Sequence, residues 1–209
     1  MPLLLTGFPP FGVAVDTYVL GNSSQKIVNH FSGPPPSFLG GSKADFEEVT
    51  SKVRTAILPV KRGSANLPGT SAKSLHDLLA SQNPESVVCL GHHLAFPGSG
   101  AHLELVAYRP SDLKAGQPKR RSWFADRIAD DARTCGITTT TWEFALLGGG
   151  TCNDTYWTAI EWAGAGKAAA FLHLPPYTSS DPKREEQILR QVLFVVKRAL
   201  DLHSPPHHS

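Results

Sequence analysis

Short apolar runs ended by glycine or proline alternate along this chain with stretches whose apolar residues recur every third or fourth position. No other feature constrains the fold as tightly. Residues 3–6, 55–60, 86–90, 102–108, 138–142 and 168–174 read as strands, several of them apolar throughout, as strands buried on both faces are. Helices are expected between them. Residues 22–31 open on Asn22-Ser23-Ser24, a capping signal, and place Ile27 and Phe31 four positions apart. Thr70 can cap a helix with Leu75, Leu78 and Leu79 on one face, and residues 123–133 read as another. Residues 152–163 carry Tyr156, Ala159, Ile160 and Ala163 at i, i+3, i+4 and i+7. Asp181-Pro182 supplies a cap followed by a first-turn proline, opening a helix with Ile188, Val192, Val195, Val196 and Ala199. Gly33-Pro34-Pro35-Pro36 and Gly40-Gly41 mark a loop, and the basic stretch 110–121, with Lys114, Lys119, Arg120 and Arg121, reads as a solvated surface loop. The alternation implies the α/β class, helices covering both faces of a mostly parallel or mixed sheet. One domain is expected over residues 1–202, with a flexible tail at 203–209.

Composition narrows the class of function. A chain of 209 residues can bury roughly 70% of its unfolded surface without disulfides or metals to hold it. A formal charge of +2, with 18% charged residues, argues against a nucleic-acid partner. No apolar run approaches the roughly 18 residues of a membrane span. The segment from Met1 to Gly7 lacks a basic start and a long enough apolar stretch for a signal peptide. Three cysteines at scattered positions make no disulfide framework. The expectation is a soluble cytoplasmic protein with reduced thiols, and no membrane partner.

Ligands of such sheets bind at the carboxyl ends of the strands, and few reactive side chains fall there. Cys152 follows Gly148-Gly149-Gly150 at the start of a helix, where free backbone N–H groups and the helix dipole favour a thiolate. The same N–H groups could receive an oxyanion. His173 ends the apolar strand Ala169-Ala170-Phe171-Leu172, just before Pro175-Pro176. It follows Cys152 by 21 residues, enough for one helix and a return strand, which places both at one sheet edge. Glu104 stands in the apolar strand Leu103-Glu104-Leu105-Val106-Ala107, where a carboxylate is either solvated on an exposed face or paired with a cation such as an imidazolium. Each residue has a structural alternative: a buried cysteine, a core histidine, a solvent-facing glutamate. Together they form the Cys–His–carboxylate set of acyl transfer. Cys89, inside Val87-Val88-Cys89-Leu90, reads as a small core residue. The adjacent His92-His93 point to opposite faces of an extended chain and complete no metal-ligand set.

These residues resemble the type I pyroglutamyl peptidases (pyrrolidone-carboxylate peptidases). Leu5-Thr6-Gly7-Phe8-Pro9-Pro10-Phe11-Gly12 is similar to that family's Thr-Gly-Phe-x-Pro-Phe-Gly motif after the first strand. Asn22-Ser23-Ser24 resembles its Asn-x-Ser opening of the first helix, and Leu58-Pro59-Val60 the end of its second strand. The segments around Glu104, Cys152-Asn153 and Phe171-Leu172-His173-Leu174-Pro175 are similar to those holding its glutamate, nucleophile and histidine. The resemblance implies a three-layer α/β/α fold without metal or cofactor. It also implies Cys152 as nucleophile, His173 as general base and then acid, and Glu104 as orienter of the imidazole. The implied substrate is a small peptide or amide blocked by an N-terminal pyroglutamyl residue, and a homo-oligomer is left open.

The implied binding residues are Phe8 and Phe11 as pocket walls, with Gly150, Thr151 and His92 at positions where this chain departs from the pattern. Gly150 and Thr151 stand where the family has an aromatic and an aliphatic residue, and His92 where it has a small or amide side chain. Tyr108-Arg109-Pro110 replaces an Asn-rich segment. The expected activity is therefore that of a cysteine omega-peptidase. The alternative is a weakly active or inactive paralogue that binds a lactam or a peptide N-terminus. A dinucleotide-binding protein fits less well, because Pro9 interrupts the G-x-G-x-x-G fingerprint and Phe8 and Phe11 would crowd a pyrophosphate.

Overall fold

Strand β1 (Leu3–Gly7), fully buried, carries the chain's first apolar run into the middle of a six-stranded sheet. In this computed structural model the described residues are 2–9, 22–60, 70–92, 100–108, 119–140, 151–176 and 181–201. The remaining sheet strands are β2 (Val53–Ile57), β3 (Ser86–His92), β4 (His102–Glu104), β7 (Thr138–Thr140) and β8 (Ala168–Leu174). Their order is β2-β1-β3-β8-β4-β7, parallel throughout except where β4 runs antiparallel to β8. A separate antiparallel pair joins β5 (Val106–Tyr108) to β6 (Lys119–Arg121).

Six helices cover the sheet among the described residues: α1 (Ser23–Ser32), α2 (Lys43–Thr50), α3 (Thr70–Gln82), α4 (Trp123–Thr134), α5 (Thr151–Ala163) and α6 (Pro182–Asp201). Alternation along the strands separates two cores. Leu3, Leu5, Val88, Leu90, Leu172 and Leu174 meet α1, α2, α4 and α6. Leu4, Val87, Cys89, Ala169 and Phe171 meet α3 and α5. The chain is thus a single-domain, three-layer α/β/α sandwich on a mixed sheet. Among the described residues no helix is long and apolar enough to cross a membrane.

Two of the caps read from the sequence form as expected, while Thr70 is itself the first residue of α3. The Asn22 side chain accepts the Ser24 N–H at 2.9 Å, and Asp181 accepts the Arg184 N–H at 3.0 Å. Ser24 also reaches back to β1, its hydroxyl accepting the Phe8 N–H at 3.0 Å, which fastens the turn after β1 to the start of α1.

Five expectations are corrected. Residues 102–108 are two strands, because the chain leaves the sheet at Leu105, whose carbonyl accepts the Ser122 N–H at 3.2 Å, and β5 then pairs with β6. Residues 119–121 of the expected surface loop accordingly form β6. Strand β3 continues through Gly91 to His92, and β2 lies two residues earlier than the pattern suggested. A 3-10 turn (Ser37–Ser42) and α2 occupy the loop expected at Gly33–Gly41 and the residues after it, where no helix was expected, with Phe46 and Val49 buried. The tail at 203–209 and the basic stretch 110–118 lie outside the described residues.

Candidate active site

Three elements converge at the carboxyl edge of β8. Helix α5 begins at Thr151, so Cys152 sits in its first turn, 7% exposed. Gly164, with φ of 53°, ends that helix in the left-handed region and turns the chain toward β8. Along β8, alternation puts His173 on the same face as Ala169 and Phe171, toward α5. Across the antiparallel pair, His102 stands opposite His173 and Glu104 opposite Phe171, so Glu104 lies on that face too. The three sequence-predicted residues therefore meet on one side of the sheet.

Glu104 Oε1 lies 2.8 Å from His173 Nδ1, and the two side chains are 2% and 3% exposed. The Cys152 side chain hydrogen-bonds the same imidazole. With Nδ1 committed to Glu104, Nε2 is the nitrogen left for the thiol. Burial alone would hold His173 neutral, but the hydrogen bonds and negative charge of Cys152 and Glu104 outweigh it and raise its pKa from 6.5 to about 10. The second carboxylate oxygen, Glu104 Oε2, is buried with no hydrogen-bond partner among the described residues, so none of their donors competes for the charge that faces His173. An imidazolium between a thiol and a carboxylate is what acyl transfer by cysteine requires: a proton waits beside the nucleophile for the leaving group.

The surroundings keep the imidazole in place. Phe171 packs against it at a ring separation of 5.0 Å, and Tyr156 packs against Phe171 at 5.6 Å. Gly91 is required by this packing, since a Cβ there would lie 2.8 Å from the Phe171 ring and 2.9 Å from His173 Cδ2. Gly91→Ala is expected to destabilise the fold by about 1–3 kcal/mol and to lower turnover by displacing the imidazole. A thermal melt beside a rate assay checks it, and wild-type values for both would show that the pocket yields. Two further histidines flank His173. His102 and His92 each have a pKa pushed down to about 4, first by burial and then by the charge on His173. Each is therefore neutral beside the charged one.

The remaining candidates separate. Phe8 is fully buried in the apolar cluster that contains Cys152, Tyr156 and Phe171. Thr151 is the half-buried first residue of α5. His92 faces α1, where its Nδ1 accepts the Ser23 N–H at 3.4 Å. Phe11 and Gly150 lie outside the described residues. All three cysteines are free, and burial pushes the Cys89 thiol up to about 12, as suits a core residue. Sequence reasoning passed over Tyr156 as a contact near the site, although it lies one helical turn after Cys152, and His102, two residues before Glu104 on the same strand face. Both spacings were legible signals.

A three-layer α/β/α sandwich with a buried thiol–imidazole–carboxylate set at the sheet edge defines the class. Comparison with solved structures gives the fold a more particular likeness. The chain is similar to a mutant pyrrolidone carboxyl peptidase from the hyperthermophile Pyrococcus furiosus, at 16% identity and a TM-score of 0.62, over 97% of this chain and 99% of that one. It is similar to the pyrrolidone carboxyl peptidase of Thermococcus litoralis, at 19% identity and a TM-score of 0.62, over 96% of this chain and 93% of that one. It is also similar to pyroglutamyl peptidase I from Bacillus amyloliquefaciens, at 16% identity and a TM-score of 0.58, over 96% of both chains. No family model and no curated protein matches the sequence. The fold is that of the pyrrolidone carboxyl peptidases, carried by a divergent sequence.

Proposed function

We propose that the chain is a cysteine omega-peptidase that hydrolyses the amide bond after an N-terminal pyroglutamyl residue. The observation that carries this reading is the buried Cys152–His173–Glu104 set, built on the fold of peptidases with that activity in their names. The Cys152 thiolate attacks the pyroglutamyl carbonyl carbon, and the oxyanion forms beside the free N–H groups of the first turn of α5. The C–N bond then breaks as His173 gives its proton to the departing amine, leaving a thioester on Cys152. Neutral His173 takes a proton from water, the hydroxide adds to the thioester, and C–S cleavage releases pyroglutamate and restores the thiolate–imidazolium pair. Glu104 keeps the imidazole oriented throughout and stabilises its charged form at each stage where it holds the proton.

For the pocket, buried Phe8 offers an apolar wall suited to an uncharged lactam ring, with Phe11 the second wall by resemblance. Gly150, Thr151 and His92 complete the proposed binding set and are the positions where specificity departs from the family pattern. Free thiols suit a reducing, cytoplasmic setting. Thr151 in place of a larger apolar side chain favours a second reading, a paralogue that binds a lactam or peptide N-terminus without turnover.

The test is fluorophore release from pyroglutamyl-aminomethylcoumarin, beside its prolyl and glutamyl analogues, with and without prior iodoacetamide. Release from the pyroglutamyl compound alone, lost after alkylation, is expected. Rapid alkylation of Cys152 at pH 6 without release from any of the three would shift the substrate to a different acyl group. Neither release nor alkylation would favour the binding paralogue.

A further inference from the structure

Helix α5 does more than present Cys152. One residue on, Asn153 makes two hydrogen bonds to a single backbone unit of β5: its Oδ1 accepts the Tyr108 N–H at 2.8 Å, and its Nδ2 donates to the Tyr108 carbonyl at 2.8 Å. This is the bonding a neighbouring strand would offer, delivered by a side-chain amide 1% exposed. One turn after Cys152, the Tyr156 hydroxyl donates to the Glu104 carbonyl at 2.7 Å, from a side chain 2% exposed. The two tethers bracket the point at Leu105 where the chain leaves the main sheet, four residues apart along the segment that carries Glu104. That segment needs holding. Strand β4 is only three residues long, and the departure of β5 removes its continuation from the main sheet.

Resting on the peptidase reading above, we propose that Asn153 and Tyr156 are positioning residues that lock the nucleophile's helix to the strand bearing Glu104, so that Cys152, His173 and Glu104 keep one register. All three members are then fixed through one helix: Cys152 by its place in α5, Glu104 by the Tyr156 bond to its own carbonyl and the Asn153 bonds to β5 just beyond it, and His173 by its bonds to the other two.

Tyr156→Phe removes one hydroxyl and keeps the ring against Phe171, and Asn153→Leu removes both bonds at similar volume. Each is expected to lower kcat on pyroglutamyl-aminomethylcoumarin by about 10- to 100-fold, the scale of a small misplacement of reacting groups, with KM within about twofold because neither side chain is assigned to the substrate. Cys152 alkylation by iodoacetamide is expected to slow in both variants, since a looser Glu104 holds the imidazole beside the thiol less well. Trp123→Phe is the control. It removes the indole hydrogen bond to the Lys167 carbonyl at 3.0 Å, away from the site, and is expected to lower the melting temperature while leaving kcat and the alkylation profile unchanged. Folded Tyr156→Phe protein with wild-type kcat and a wild-type alkylation profile would overturn the proposal, and that variant decides alone if Asn153→Leu does not fold. Alkylation is read without substrate. A wild type inert to the pyroglutamyl compound would therefore defeat the peptidase reading, while the alkylation profiles still decide the tether.

Discussion

Cys152→Ala is expected to lower kcat on a pyroglutamyl amide by roughly 10⁵- to 10⁶-fold, the scale seen when the nucleophile of an acyl-transfer set is removed. The reason is that among the described residues no other thiol can take its place. Of the other thiols, Cys89 is fully buried with its pKa pushed up to about 12, mainly by burial, and Cys135 is exposed at the end of α4, on the opposite side of the sheet. The substitution removes one sulfur from a side chain already 7% exposed in a helix whose other sheet-facing residues remain, so the protein should fold. Binding of the lactam ring should persist, leaving KM for a slow substrate, or Kd for pyroglutamate itself, close to wild type. A steady-state assay beside a mass measurement of iodoacetamide adducts decides the matter. Undiminished turnover in the variant would remove Cys152 from the mechanism. Loss of turnover with unchanged pyroglutamate binding would assign it to chemistry alone.

Glu104→Gln is expected to lower kcat by about 10³- to 10⁴-fold, because an amide preserves the shape but not the charge that orients and stabilises the imidazolium. The pH dependence should change with it. In the wild type His173 has a pKa of about 10 in the fold, against 6.5 as an ordinary imidazole, so the folded state holds the proton more tightly. That stabilisation is complete below about pH 6.5 and is lost progressively as pH rises to about 10. Wild-type melting temperature is therefore expected to fall across that window through this group. In Glu104→Gln the folded pKa drops toward the ordinary value and the decline flattens. Alkylation of Cys152 by iodoacetamide is expected to slow as well, because the imidazole beside the thiol is held less firmly. Melting curves from pH 6 to 10 on both proteins test this. Parallel curves would show that the carboxylate does not hold the charge on His173.

The layered fold was legible in the sequence because its signals are local. Glycine and proline punctuate the strands, Asn22 and Asp181 cap their helices, and β8 is an apolar run that only a doubly covered sheet explains. Cys152 and His173 were also readable together, since a helix followed by a return strand places both ends at one sheet edge. Alternation likewise put Glu104 in an apolar strand, but could not say whether its face met solvent or protein.

Where the signal was not local, the reading fell short. Nothing in residues 102–108 announces that the strand divides at Leu105, because the event depends on Ser122 taking the Leu105 carbonyl from 17 residues away in the chain. Gly91 looked like a terminator, yet it is a site of close approach, its lack of a Cβ leaving room for Phe171 and His173. Helix α2 is not legible in the sequence, since only Phe46 and Val49 of its eight residues are buried, too few to give a period that outweighs the preceding glycine and proline.

What the sequence by itself determined is the set of reactive groups and the edge of the sheet on which they lie, because side-chain identity and backbone period are properties of neighbouring residues. What only the tertiary structure decided is their charge state and register. The antiparallel pairing of β4 with β8 brings Glu104 within 2.8 Å of His173 and excludes water from both, and α5 holds the strand that carries the carboxylate. Burial and pairing act across the chain, between residues 69 positions apart, and the energy of an ion pair depends on that packing and on nothing the chain shows locally.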